Sequence, residues 1–114
     1  MSEPLDTNML RELEELMADE FPQLLGTFLA ESQRQFQQAS AAWAEQDLGR
    51  LRATVHSLKG SCGNIGATPL SGLCADLEHA ARHRQTADVP RLLTAVQGEL
   101  ETVRGAIGRL VQSL

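Results

Sequence analysis

The chain has 114 residues, a length that suits one domain with a single hydrophobic core. Tyr is absent, Phe and Trp together contribute four residues, and the abundance of Ala, Leu, Gln, Glu and Arg favours helix over sheet. The net charge of −5, without a dense basic run or interleaved aromatic residues, argues against nucleic-acid binding.

The sequence also argues against a membrane protein. No apolar run approaches the roughly eighteen residues that a membrane span requires. The N-terminal sequence MSEPLDTNML lacks the basic and apolar regions of a signal peptide. We therefore expect a soluble, cytoplasmic protein that does not bind membranes.

Charge is distributed unevenly along the chain. Residues 1–48 carry ten acidic and two basic side chains, a net charge of −8, whereas residues 49–114 carry five acidic and eight basic side chains, a net charge of +3. The second half therefore suits a small anion or an acidic protein surface as a partner.

Prolines and capping residues divide the chain into helical segments. A short acidic segment at about 5–18 precedes a long helix at about 20–45, which has Pro22 in its first turn. Asp47 is a candidate N-cap for a helix at about 48–65. The apolar residues of this helix recur at steps of three and four, as in a seam that faces a partner helix: Leu48, Leu51, Val55, Leu58, Cys62 and Ile65.

Two further helices follow. Gly66 is suited to end the third helix in a left-handed conformation, and Thr68 and Pro69 are expected as the N-cap and first residue of a helix at about 69–84. Asp88 and Pro90 then open a last helix at about 89–113, whose seam is expected to run to Leu114. The sequence thus predicts a single all-α domain over 1–114: an antiparallel, up-down-up-down four-helix bundle with a short N-terminal helix capping one end.

Glycines and cations share one face of the third helix, within the stretch HSLKGSCGNIG at 56–66. At 100° per residue, the seam residues fall within about 40° of Leu51, whereas Lys59, Arg52, Gly63, His56 and Gly60 lie between about 80° and 180°. Each interior Gly costs roughly 0.5–1 kcal/mol relative to Ala. One interpretation is that the glycines allow close packing of a neighbouring helix. Their position away from the seam favours another, in which a second molecule approaches the backbone to reach His56 and transfers an anion to it.

These residues carry a resemblance to a known family. His56-x-Leu58-Lys59-Gly60-Ser61, followed by Gly66 and then by Leu70, Leu73, Leu77 and Glu78, resembles the signature of the histidine-containing phosphotransfer (HPt) domain of bacterial phosphorelays. The motif covers about 25 residues, and the bundle pattern extends the match over nearly the whole chain. In that family the histidine accepts a phosphoryl group from an aspartyl phosphate on a receiver domain and passes it to an aspartate on another.

The resemblance implies a role for each matching residue. His56 is similar to the phosphorylated histidine of the family, with Nε2 as the nucleophile. Lys59 is similar to the lysine that screens the phosphoryl charge. Gly60 is similar to the glycine that leaves room for the receiver, and Gly63 would extend this clearance. Glu78 lies where some members place a side chain that hydrogen-bonds the other imidazole nitrogen; the alternative is an ordinary exposed glutamate. Receiver specificity would depend on residues around His56, for which the candidates are Arg52, Ser57, Asn64 and Glu78.

The resemblance also implies partners and cofactors. The expected partners are the receiver domains of hybrid sensor kinases and response regulators, and the protein is expected to be monomeric. It would need no cofactor of its own, because the receiver supplies Mg²⁺ and the acidic pocket. The sequence has no phosphate-binding glycine loop after a strand, so we expect a phosphocarrier that does not autophosphorylate. The limits of the chain suggest a free-standing shuttle.

Two other functions remain open, and two other kinds of site are disfavoured by the sequence. A chemotaxis-type kinase has a phosphotransfer domain with a similar bundle and motif, and a helical adaptor could use the glycine face for docking without phosphate. His79 and His83 have the i, i+4 spacing of metal ligands, but Arg82 and Arg84 beside them and the lack of a third ligand favour a solvated helix end, so no metal site is expected. Cys62 and Cys74 lack metal-type spacing and are best interpreted as buried small apolar residues rather than nucleophiles.

Overall fold

The computed structural model describes residues 3–114 as helices joined by short turns, with no strand in that range. The five α-helices are α1 (Thr7–Met17), α2 (Phe21–Ala44), α3 (Leu48–Asn64), α4 (Thr68–Arg82) and α5 (Val89–Gln112). One turn of 3-10 helix precedes α2 and another precedes α5.

The four long helices form an antiparallel bundle, as predicted. Short connections force each helix to run back along the one before it. Helix α3 packs between α2 and α4, and α5 closes the bundle against α4 and α2. The predicted seam of α3 is fully buried at Leu51, Val55, Leu58 and Cys62. The apolar periodicity of the sequence therefore determines which face of each helix points inward.

The N-terminal segment covers one end of the bundle. Leu5 and Leu10 are buried in the same core as the long helices. The backbone N–H of Asp6 donates a hydrogen bond of 2.8 Å to the carbonyl oxygen of Gly66, in the turn between α3 and α4. The segment is thus attached to the bundle by apolar contacts and by its backbone.

The turn between α3 and α4 is a Schellman motif. Gly66 has φ +71°, as expected for a left-handed residue after a helix, and its N–H donates to the carbonyl of Gly63. The N–H of Ala67 donates to the carbonyl of Cys62 at 2.9 Å. Because this motif ends at Ala67, the next helix begins at once: Ala67 is the N-cap and Thr68 is already helical. The expectation of Thr68 as N-cap was therefore wrong by one residue.

Two other predicted N-caps differ in outcome: Asp88 lies at the N-cap of α5 as predicted, but its side chain makes no capping hydrogen bond. The Asp47 carboxylate accepts a hydrogen bond of 3.0 Å from the backbone N–H of Arg50, so Asp47 caps α3 as predicted. At the far end of the chain, Leu114 is 52% exposed and lies outside the core, contrary to expectation. No helix within residues 3–114 has both the length and the apolar character needed to cross a membrane.

Candidate functional site

The candidate site lies on the outer face of α3, beside α4. Burial of Leu51, Val55 and Leu58 fixes the rotation of α3 about its axis. His56 therefore points away from the core, and its side chain is 66% exposed. The imidazole projects from a rigid helix that contacts two neighbours, so its backbone is well fixed.

Glu78 of α4 contacts two side chains of this face, His56 and Lys59. Its side chain is only 8% exposed, and its two carboxylate oxygens have different partners. Oε2 lies 2.8 Å from Nδ1 of His56, and Oε1 accepts a hydrogen bond of 2.6 Å from Nζ of Lys59. The alternative that Glu78 is an ordinary exposed glutamate is therefore wrong: Glu78 is buried and bridges α3 and α4.

The charge state of Glu78 follows from these contacts. The hydrogen bond from Lys59 lowers the pKa of the Glu78 carboxyl below its usual value of 4.5, and the contact with His56 lowers it further, against the opposing effect of burial. An ionised carboxylate only accepts hydrogen bonds, so Nδ1 of His56 must carry a proton and donate it. In the neutral ring, Nε2 then keeps its lone pair, and it is the nitrogen that does not face Glu78.

The glycines beside His56 face open space. A Cβ atom added at Gly60 or at Gly63 would have no atom of another helix within 4 Å. The interpretation that these glycines allow close packing of a neighbouring helix is therefore wrong. Gly49 and Ala53 continue the same face on the other side of His56. They were not predicted as part of the site, although their spacing of seven and three residues from His56 places them on this face.

His56 therefore lies in the middle of a strip of α3 without long side chains, which we call the bare strip. Its members follow one another at steps of four and three residues: Gly49, Ala53, His56, Gly60 and Gly63. At 1.5 Å per residue the strip is about 21 Å long. The strip leaves the helix backbone on both sides of the imidazole without long side chains.

The structure brings some of the other candidate residues to the imidazole and leaves others apart. Arg52 is exposed and lines a cleft of about 380 Å³ together with His56 and Glu78. Arg82 lines the same cleft, and its Nη2 lies 3.9 Å from Oε2 of Glu78. Ser57 and Asn64 are exposed on α3 but are not among the residues of this cleft.

The remaining candidates lie outside the site. Cys62 and Cys74 are fully buried, and the interaction with the Cys74 thiol, together with burial, raises the pKa of Cys62. The ring centroids of His79 and His83 lie 4.3 Å apart at the end of α4. Within residues 3–114, no three His, Cys, Asp or Glu side chains are placed to share a metal ion.

Comparison with known proteins identifies the family. The family model described as Hpt domain matches residues 23–106, a range that includes His56, Lys59 and Glu78. The chain belongs to the Hpt domain family. Its function is histidine phosphotransfer in a phosphorelay, and proteins of this family act as phosphocarriers rather than as true enzymes.

Solved structures show the same Hpt fold. The chain is 35% identical to histidine-containing phosphotransfer protein B (HptB) from Pseudomonas aeruginosa PAO1, with a TM-score of 0.96 over 100% of this chain and 99% of that one. It is 19% identical to the HPT domain of the Hpt sensor hybrid histidine kinase from Shewanella, with a TM-score of 0.79 over 97% and 96% of the two chains. The second likeness concerns the fold alone. No curated protein sequence matches the chain.

Proposed function

We propose that His56 carries the phosphoryl group of this Hpt protein. In this proposal, Nε2 accepts it from an aspartyl phosphate on the receiver domain of a hybrid sensor kinase, and an aspartate of a response regulator accepts it in turn. The observation that carries the proposal is the orientation of the ring. Glu78 binds Nδ1 at 2.8 Å, and the side chain of His56 is 66% exposed, with Nε2 on the edge of the ring away from Glu78.

The transfer step follows from this orientation. The lone pair on Nε2 attacks phosphorus, an N–P bond forms, the bond from phosphorus to the aspartyl oxygen breaks, and the receiver recovers its carboxylate. The ring keeps its proton on Nδ1 and so becomes positively charged, which the buried Glu78 carboxylate stabilises. Glu78 therefore orients the ring before transfer and stabilises its charge afterwards.

Lys59 supplies the cation nearest to His56 along α3. Its Nζ is bound to Glu78 in this structure, and its side chain is 34% exposed. The flexible lysine stem allows the ammonium group to reach a phosphoryl group on Nε2, where it would screen the charge. The bare strip, with Gly60 and Gly63 beside the imidazole, leaves space for the receiver's loops.

Other parts of the reaction are assigned to the partner. Phosphoryl transfer depends mainly on positioning and charge neutralisation, and in this proposal the receiver supplies Mg²⁺ and the acidic pocket. The protein itself acts as a monomeric, cytoplasmic phosphocarrier with no ATP site and no cofactor of its own. Incubation with labelled ATP alone should then leave it unlabelled.

The direct test uses a phosphorylated receiver domain as donor. Wild-type protein should acquire a label that is labile in acid and stable in base, and His56→Gln should acquire none. His79→Gln is the matched control, because His79 is an exposed histidine on the adjacent helix. Equal labelling of the wild type and His56→Gln would refute the proposal, and a His56→Gln protein that still functions in cells would favour a phosphate-independent adaptor.

A further inference from the structure

The cleft beside His56 is lined by two arginines that the proposed transfer step does not use. It lies between α3 and α4 and is lined by Gly49, Arg52, Ala53, His56, Glu78 and Arg82. Glu78 is its single carboxylate, and this carboxylate is already bound by Lys59 at 2.6 Å. Arg52 is therefore left without an acidic partner in the cleft, and Arg82 has only a long ion pair of 3.9 Å with Oε2 of Glu78.

Contacts of the two arginines support this conclusion. Arg52 forms no salt bridge with any residue of the range 3–114. Arg82 is 53% exposed, and its distance of 3.9 Å from Glu78 exceeds a hydrogen bond. Arg34 and Arg50 are paired with Glu31 and Glu45, whereas Arg104 and Arg109 on α5 are exposed and, like Arg52, form no salt bridge within residues 3–114, so they provide a matched control.

We propose that Arg52 and Arg82 bind a carboxylate side chain of the docking receiver domain and thereby determine which receivers this protein recognises. The inference rests on the proposed function. A receiver that covers His56 must also cover this cleft, because His56 is one of its walls. Guanidinium groups bind carboxylates in a bidentate geometry, which would fix the orientation of the receiver as well as attract it.

The position of the cleft distinguishes this ligand from the transferred phosphoryl group. Glu78 and Arg82 lie on the Nδ1 side of the imidazole, whereas the phosphoryl group is accepted on Nε2. The buried Glu78 carboxylate also disfavours a free phosphate dianion in the cleft more than a singly charged carboxylate. Gly49 and Ala53 also line the cleft, and their small size leaves space for a side chain of another protein.

The test compares two charge-reversal variants of equal net charge. Arg52→Glu/Arg82→Glu changes the cleft, and Arg104→Glu/Arg109→Glu changes two exposed arginines of α5 instead. Transfer from a phosphorylated receiver to the cleft variant should be at least about tenfold slower at 0.1 M salt, with a smaller difference at high salt, and the control should resemble the wild type. If the cleft variant does not fold, Arg52→Gln and Arg82→Gln replace it.

A second donor separates docking from the reactivity of His56. Phosphoramidate, a small phosphoryl donor that needs no docking surface, should label the wild type and the cleft variant equally. A receiver variant in which a surface carboxylate outside the acidic Mg²⁺ pocket is replaced by Lys should restore transfer to the cleft variant.

Each contrary outcome has a distinct meaning. Unchanged transfer from the receiver to the cleft variant would overturn this inference and leave the proposed function intact. Parallel loss of labelling by phosphoramidate would show that the arginines act on the imidazole and not on docking. Saturation of the cleft by inorganic phosphate at submillimolar concentration would assign it to a small anion. A wild type labelled by phosphoramidate but by no receiver would refute the proposed function itself.

Discussion

The His56 ring is held by a residue of the neighbouring helix, with 2.8 Å between its Nδ1 and Oε2 of Glu78. The same carboxylate binds Lys59 through its other oxygen at 2.6 Å. A single buried side chain thus fixes the tautomer of the imidazole and neutralises the nearest cation. Replacing Glu78 should therefore change both the rate of phosphotransfer and the pH dependence of stability, and these two effects can be measured separately.

Glu78→Gln should slow phosphotransfer while preserving the fold. The amide has no charge, and its NH₂ group can donate to Nδ1 and so favour the opposite tautomer. Loss of a hydrogen bond to a charged group, about 1.4 kcal/mol in the transition state, corresponds to roughly a tenfold lower rate. Initial rates with a labelled receiver measure this effect, and ¹⁵N shifts of the imidazole report the tautomer.

The control for this substitution is Glu101→Gln, which removes the same charge from an exposed position on α5. We expect it to leave both the rate and the imidazole spectrum unchanged. A Glu78→Gln protein with wild-type rate and wild-type tautomer would show that the contact does not orient the ring.

Stability should depend on pH through Glu78. The pKa of Glu78 in the folded protein lies below its usual value of 4.5, so the ionised carboxylate stabilises the fold. This contribution is fully present above the unfolded pKa and is lost as pH falls through the lowered folded pKa. Urea denaturation from pH 7 to pH 3 should show the free energies of unfolding of wild type and Glu78→Gln converging on acidification. A constant difference would contradict the assignment.

Substitutions at Gly60 should raise stability and lower function. Because a Cβ at Gly60 meets nothing within 4 Å, Gly60→Ala should stabilise the protein by roughly 0.5–1 kcal/mol. Gly60→Gln should also fold well, yet block the receiver and reduce transfer by more than tenfold. Gly98 of α5 has equally open surroundings, so Gly98→Gln is the matched control for stability without loss of transfer. Full activity of Gly60→Gln would mean that the receiver does not use the bare strip.

Substitution of Gly66 should have the opposite effect on stability. Its φ of +71° costs other residues roughly 1–2 kcal/mol, and an added Cβ would lie 2.9 Å from Cβ of Asp6. Gly66→Ala should therefore destabilise the protein by at least that amount in chemical denaturation. Gly72→Ala, within α4 and with open surroundings, should instead be neutral or stabilising. Equal stability of the two variants would argue against the strained turn.

The fold was largely predictable, because apolar periodicity and capping residues act locally. The seam of α3 and the N-cap Asp47 follow directly from spacing and side-chain chemistry. The start of α4 was misplaced by one residue because a Schellman motif depends on several backbone hydrogen bonds at once. Leu114 was expected in the core because the pattern does not show where the neighbouring helices end.

The site was only partly predictable. Helical geometry placed His56, Gly60 and Gly63 on one exposed face, but it could not show that Glu78 is buried or that Lys59 is bound to it. Those contacts depend on the relative rotation of α3 and α4 and on side-chain rotamers. Arg82 was interpreted from the sequence as part of a solvated helix end, because its approach to the cleft depends on the position of α3.

All residues assigned to the reaction, from Gly49 to Arg82, lie in one continuous helical hairpin closed by the turn at Gly66. Its geometry is set by contacts between segments close in sequence, which form early and at low entropic cost during folding. Helices α2 and α5 pack against this hairpin and complete its core. Transplanting this hairpin onto another four-helix framework should transfer the chemistry with it.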